Sequence, residues 1–263
     1  MPRSWEEMKL ALQAVLSPVI AIVLLLALWE LAVWALHLPV FILPAPSVIG
    51  REAMTAWPSL MRHAGVTSQT VLLGFLLSLV LSLPIAMALS WSAGLSNAIY
   101  PVLVMTQSIP KVALAPILIV ALGTGELPRV IVTFLVAFFP LVVATATGLQ
   151  STPPELVELA RSVRASKWKT MYRIRLFYAV PFIFGGLRVA TALAVVGAVV
   201  AEFVSANAGL GYLITSSMAF FKVPIAWAAM IVLSAMGILL FHIVGFIERR
   251  FFPWSQSESK FAA

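Results

Sequence analysis

The chain has 263 residues, of which 62% are hydrophobic and 10% charged, and its mean hydropathy is +1.04. A soluble domain is closer to half apolar, so a soluble fold of this size lacks the polar surface to cover such a core, and the bilayer is its natural solvent. The net charge of +7 comes from basic residues set between apolar stretches, which is a pattern of membrane topology rather than of nucleic-acid binding; the absence of cysteine excludes disulfides and thiol catalysis.

A helix crosses the hydrocarbon with about 20 apolar residues, and six stretches meet that length. The first, residues 16–36, is long for a signal peptide and has no small-x-small cleavage site after it, so it reads as a retained helix. Residues 39–63 are too polar to span. There Leu43-Pro44-Ala45-Pro46-Ser47 predicts an extended turn, with Ser47 capping a short helix near Arg51. The second span, residues 66–91, is free of charge and contains Pro84. The third, residues 98–122, holds Pro101, Pro110 and Pro116 with Lys111 among them, which predicts an irregular helix. The fourth covers residues 130–149, the fifth residues 179–203 with Arg188 inside, and the sixth residues 225–247. The whole chain reads as one transmembrane domain, 1–263.

Between spans four and five lies a polar loop, residues 151–178. Thr152-Pro153-Pro154-Glu155 predicts a helix start, with Thr152 as cap, Pro153 at the first helical position and Glu155 closing a capping box. Leu156, Leu159 and Val163 form an apolar stripe, and Glu158 and Arg161 stand at pairing distance along the helix. Ser166 is placed to cap a second short helix from Lys167. The pair makes a knob whose apolar stripe needs a protein surface to cover it.

Lys and Arg set the orientation. Arg3, Lys9, Arg249, Arg250 and Lys260 flank the termini, and Arg161, Arg164, Lys167, Lys169, Arg173 and Arg175 crowd the loop on the same side. The other side has Arg51, Arg62, Arg129 and Lys222. The basic side is therefore expected to be cytoplasmic, with both termini inside and the regions of His63, Gly125 and Asn207 outside.

Glu158-Leu159-Ala160, Ile174-Arg175-Leu176 and Pro181 resemble the EAA loop of ABC-importer permeases. Ala165-Ser166-Lys167-Trp168, Gly186-Leu187-Arg188, Gly209-Leu210-Gly211-Tyr212-Leu213-Ile214 and Ile109-Pro110-Lys111-Val112-Ala113-Leu114-Ala115-Pro116 extend the resemblance, which covers the chain from about Trp29 onwards and is nearest to the nitrate, sulfonate and taurine importers. It implies an all-α permease of the type I importer architecture, with about six transmembrane helices and a cytoplasmic coupling helix. Residues Glu158, Ala160, Arg161, Arg164, Ala165, Ser166, Lys167, Trp168 and Lys169 would engage a separate ATPase subunit. It also implies a periplasmic binding protein, a second permease subunit in a homodimer, and the bacterial inner membrane as location. ATP and Mg would be bound by the partner ATPase, with no cofactor in this chain. Two departures stand out. Arg164 occupies the place of a loop glycine, so either it accepts a left-handed conformation or the turn is built differently; Phe177 replaces a proline.

The chain has no Gly-Lys pair and hence no Walker A phosphate loop, no metal-ligand spacing and no catalytic constellation; His37, His63 and His242 are scattered and read as structural or solvated. Ionisable groups at membrane depth are functional candidates. Lys111 is either a cation on the translocation path for an anionic solute or a snorkelling or acid-paired lysine. Glu202, before the Gly-rich segment, either gates the path or contacts a binding protein, or holds structure. Trp29-Glu30 reads as an interfacial packing contact, and Arg188 as a residue that snorkels or anchors the loop. An ion-driven secondary transporter would show inverted repeats and an acidic relay, and neither is visible; an intramembrane enzyme would need the missing constellation.

Overall fold

A computed structural model describes residues 5–256. Arg3 and Lys260 lie outside the described residues, as does the side chain of Lys9. Every regular element among the described residues is helical. The α-helices are α1 Trp5–Ala35, α2 Pro46–Thr55, α3 Trp57–Trp91, α4 Ala93–Gln107, α5 Ala115–Leu122, α6 Glu126–Gln150, α7 Pro154–Ser162, α8 Lys167–Thr170, α9 Leu176–Ser205, α10 Leu210–Ala219 and α11 Val223–Phe251. A 3-10 turn, Lys111–Leu114, precedes α5, a π-turn, Met171–Arg175, joins α8 to α9, and a 3-10 turn, Pro253–Gln256, follows α11.

Among the described residues, five stretches are long and apolar enough to cross a membrane: Leu16–Ala35, Trp57–Trp91, Glu126–Gln150, Lys167–Val204 and Val223–Phe251. Gly94–Gln107 and Lys111–Leu122, bent by 79°, together pass the same test and make a sixth where the pair is taken as one span. The irregularity expected from the three prolines of span three is thus a sharp break at Pro110. Proline supplies no N–H to continue α4, and the chain restarts as a 3-10 turn closed by Ala113 N–H to the Pro110 carbonyl at 2.8 Å.

The core is a trio of α3, α6 and α9. Leu141, Val142, Ala146 and Leu149 of α6 are buried against Ala179, Ala190, Ala194 and Ala198 of α9 and Val71 and Phe75 of α3. Small residues let the backbones approach, as membrane helices require where apolar burial alone gives no preference over lipid. A Cβ on Gly186 would fall 2.7 Å from that of Ala144. By contrast, α1 is exposed along most of residues 16–35, with Val33 buried; it meets the bundle where Trp29 packs on Trp227 at 5.0 Å between ring centres.

Several local expectations are corrected. Helix α3 begins at Trp57, ahead of the span expected from residue 66. At about 1.5 Å per residue its 35 residues exceed a hydrocarbon thickness of about 30 Å, so its first, more polar turns project beyond the apolar zone. Ser47 does not cap α2. Pro46 takes the first helical position, which places Ser47 inside the first turn, and both its N–H and its hydroxyl donate to Glu30, at 3.0 and 2.6 Å. Thr152 does not cap α7 either. Pro154 forces Pro153 into an extended conformation (φ −53°, ψ 131°), so Pro154 rather than Pro153 opens the helix and no capping box forms. The Thr152 hydroxyl turns back to the Leu149 carbonyl at 3.3 Å. The second short helix is capped by Ser166, which accepts from Lys169 N–H at 3.3 Å, but it is not free-standing: it runs through the π-turn into α9.

Candidate functional site

The loop after α6 is an exposed helix on a rigid mount. Helix α7 buries Ala160 and presents Leu159 and Val163 at 60% and 70% exposure. A cleft of about 520 Å³ runs between this apolar side and the base of α9, lined by Leu156, Leu159, Val163, Ile174, Phe177 and Tyr178 among others. The turn that ends α7 settles the question raised by Arg164. Its φ is +55°; its N–H donates to the Arg161 carbonyl at 2.9 Å, and Ala165 N–H donates to the Ala160 carbonyl at 2.8 Å. This is a Schellman turn with arginine in the left-handed position normally given to glycine, at a cost on the order of 1 kcal/mol. Glu158, Arg161, Arg164, Ser166, Lys167, Trp168 and Lys169 are all exposed on this knob, with Ala165 half-buried. The expected Glu158–Arg161 ion pair does not form. In water such a pair gains little, and the one ion pair among the described residues is elsewhere.

Three contacts fasten the knob and the base of α9 to their neighbours. Trp168 packs edge-on to Trp91, the last residue of α3, at 4.5 Å and stacks over Tyr172 at 5.7 Å. Arg175 donates to the Ser90 carbonyl at 2.8 Å, satisfying a helix end that has no partner within α3. Phe177 lies flat on Trp254 at 4.5 Å and 6°.

Lys111 stands at the break between α4 and α5, half-buried. Its ammonium lies 5.0 Å from the ring centre of Phe139 on α6. The cation has a π-face as its neighbour rather than a carboxylate.

Glu202 is 1% exposed. Its carboxylate accepts from the Thr67 hydroxyl of α3 at 2.9 and 3.0 Å and from Gly211 N–H of α10 at 2.8 Å. Thr67 in turn accepts from Leu210 N–H at 2.7 Å, and His63 Nδ1 accepts from Gly209 N–H at 3.0 Å. The Gly-rich segment is therefore a helix start, and α3 and α9 together supply the cap that α10 lacks in its own sequence. The two glycines are required by contact: a Cβ on Gly209 or Gly211 would come within 3 Å of Glu202, and Gly209 also has φ +120°. Arg129 closes the same end of the bundle, donating to the Gly125 carbonyl at 3.0 Å and to Ala208 at 3.4 Å. His63, Gly125 and the segment before α10 thus share one end of the molecule; Ser90, Trp91 and the α7–α8 knob share the other.

Sequence reasoning missed Glu248. Buried on α11, it pairs with Arg188 of α9 and accepts from the Ser255 hydroxyl at 2.9 Å, and Arg188 also covers the Phe241 ring at 5.7 Å. Its signal was a lone glutamate beside Arg249 and Arg250, easily read as a solvated helix end. The Thr67 role carried no signal, since threonine is common in membrane helices. His242 lies within α11, its Nδ1 2.8 Å from the Ile238 carbonyl.

Comparison with known proteins agrees with this architecture. The family described as binding-protein-dependent transport system inner membrane component matches residues 78–253. The formylaminopyrimidine transport permease protein ThiX of Halalkalibacterium halodurans is 35% identical over 95% of this chain and 100% of its own. The riboflavin transport system permease protein RibX of Chloroflexus aurantiacus is 35% identical over 90% of each chain, and the taurine transport system permease protein TauC of Escherichia coli is 25% identical over 93% of this chain and 91% of its own. The chain belongs to the binding-protein-dependent transport system inner membrane components, the permease subunits of ABC importers.

Proposed function

We propose that this permease is a single membrane domain, 1–263, in the bacterial inner membrane with both termini cytoplasmic. It pairs with a second copy of itself to form the path for a small anionic solute handed over by a periplasmic binding protein. The α7–α8 knob, residues Glu158 to Lys169, is the surface on which a cytoplasmic ATPase docks, and that partner binds ATP and Mg. The observation that carries the reading is the exposed, apolar face of α7 on a mount tied to α3 by Trp91 and Arg175: a push on the knob is delivered to two spans at once. Lys111, at the helix break, is the candidate cation on the path. Glu202, walled in by Thr67 and Gly211, acts on the path by holding α10 in place rather than by touching solute.

A second reading of the solute is favoured by the relatives. Two at 35% identity are named for formylaminopyrimidine and riboflavin, against 25% for the taurine permease, which points to a heteroaromatic ring. Thermal shifts of the cognate binding protein with both solute classes decide between them. The wider reading is tested by co-purifying the ATPase and measuring uptake in vesicles, which must stop when ATP hydrolysis stops. Single cysteines introduced at Lys167 and Asn207, labelled with an impermeant thiol reagent in spheroplasts, test the orientation. Labelling at Lys167 and not at Asn207 would reverse it.

A further inference from the structure

Beside the apolar cleft of α7 lies a second cavity of about 170 Å³. Arg161, Lys167 and Arg175 line it together with Ser90 and Trp91, and no acidic side chain does. None of the three cations has an ion-pair partner among the described residues. Across the ring of Trp91, which lines both, opens an apolar cleft of about 380 Å³ formed by Pro84, Met87, Leu95, Trp168 and Tyr172. Trp91 ends α3 and packs on Trp168, which lies ahead of the apolar part of α9, so on the proposed topology both spaces sit at the level of the cytoplasmic membrane surface, where tryptophans collect. A small cationic chamber joined to an apolar furrow at that depth has the two-part chemistry of a phospholipid.

We infer that the coupling loop carries a binding site for an anionic phospholipid: its phosphate is held by Arg161, Lys167 and Arg175, and an acyl chain lies along the furrow between Trp91 and Trp168. The inference rests on the proposed placement of the knob at the cytoplasmic membrane surface. This narrows the proposed docking surface, because Arg161, Lys167 and Trp168 turn to lipid and helix α7 divides its faces. Leu159 and Val163 look towards the ATPase side, while Val157 and Arg161 look towards lipid. An acidic side chain of a partner protein would satisfy the charge but would leave the furrow beside it empty; a lipid fills both.

The site has its own reporters in Trp91 and Trp168. The permease–ATPase complex is placed in phosphatidylcholine nanodiscs in which part of the lipid is brominated phosphatidylglycerol or, in parallel, brominated phosphatidylcholine, and tryptophan quenching is read. The expected result is half-quenching at a mole fraction of the anionic lipid on the order of tenfold lower. That excess must vanish in Trp91→Phe/Trp168→Phe and shrink in Arg161→Gln/Lys167→Gln. Equal quenching by the two lipids in the unmodified complex overturns the proposal without any variant having to fold. Loss of the excess on adding millimolar inorganic phosphate would make this a free-anion site and overturn the lipid. An Arg161→Gln/Lys167→Gln complex that sheds the ATPase yet keeps the lipid preference would assign the cations to the protein interface. Excess quenching in a permease that binds no ATPase would support the lipid site while the docking reading falls.

Discussion

Thr67 on α3 and Glu202 on α9, 135 positions apart, share a hydrogen bond at a point where neither side chain reaches solvent. The bond does more than join two helices. The same hydroxyl accepts the first N–H of α10 and the same carboxylate accepts the second, so three elements depend on one pair. Thr67→Val keeps the shape and removes both functions, leaving Leu210 N–H unpaired and the carboxylate short of a donor. A loss of about 1–3 kcal/mol is expected, seen as a lower midpoint in thermal unfolding of the detergent-purified permease. Gly209→Ala should be at least as damaging, because the added methyl meets the carboxylate and the backbone is left-handed. A midpoint unchanged in both variants would remove the clasp from the account of stability.

Arg164 offers the opposite experiment. Its left-handed conformation costs what a glycine would not, while the two hydrogen bonds of the turn are made by backbone and survive substitution. Arg164→Gly should therefore keep the fold, with the relief of strain set against the greater freedom of glycine in the unfolded chain. Arg164→Val, branched at Cβ, should cost more than 1 kcal/mol, roughly the general penalty for such residues in this region. Circular dichroism melts of the three proteins test the order Gly, Arg, Val. If valine melts with the parent, the turn is not held as described.

The sequence makes the long apolar runs, the broken third span and the Ser166 cap legible because each has a local cause: length, proline, or a hydroxyl ahead of free N–H groups. It misplaces the starts of α2 and α7 for one reason. Both begin at a proline, and the nearby hydroxyls of Ser47 and Thr152 found competing partners in Glu30 and the Leu149 carbonyl. The remaining misses are matters of distance along the chain. Glu202 with Thr67, Arg188 with Glu248 and Phe177 with Trp254 join residues that only folding brings together, and in a hydrophobic sequence no periodicity marks which polar residue faces which. Resemblance supplied the motif around Gly209 and Gly211, while the close contact that requires those glycines became visible only with the carboxylate in place.

Glu158 lies exposed on α7 with no ion-pair partner in the described chain, so its charge is available to a partner protein. Charge reversal there should leave helicity and membrane insertion intact, since an exposed helical site tolerates lysine at a cost of a few tenths of a kcal/mol, roughly that of a surface substitution. Docking should suffer. Glu158→Lys is expected to lower ATPase co-purification or stimulation by about tenfold, the scale of losing one charge-assisted contact at an interface. Full stimulation together with full transport in Glu158→Lys vesicles would place the docking surface elsewhere.

Lys111 sits where the chain has broken out of helical bonding, and its ammonium is neighboured by the face of Phe139. Unwound backbone at membrane depth persists only against protein or a cavity, so the proposed placement puts the segment on an interior face. A cation over an aromatic ring is favourable by about 0.5–2 kcal/mol, which holds the lysine in position without neutralising it. On the proposed reading, the charge is left for an anion passing the break, whereas a carboxylate partner would have cancelled it. Removing the charge and keeping a polar side chain, Lys111→Gln should slow uptake of an anionic solute by about tenfold, the worth of one such electrostatic contact, and Phe139→Leu should slow it less, by loosening the lysine while leaving it charged. Uptake in reconstituted vesicles over a range of solute concentrations, with subunit assembly checked by size-exclusion chromatography, distinguishes the possibilities. If Lys111→Gln transports normally, the cation has no part in the path. If it instead fails to assemble while Phe139→Leu does too, the pair holds the broken span together, and the solute is selected by some other feature of the permease or by the binding protein.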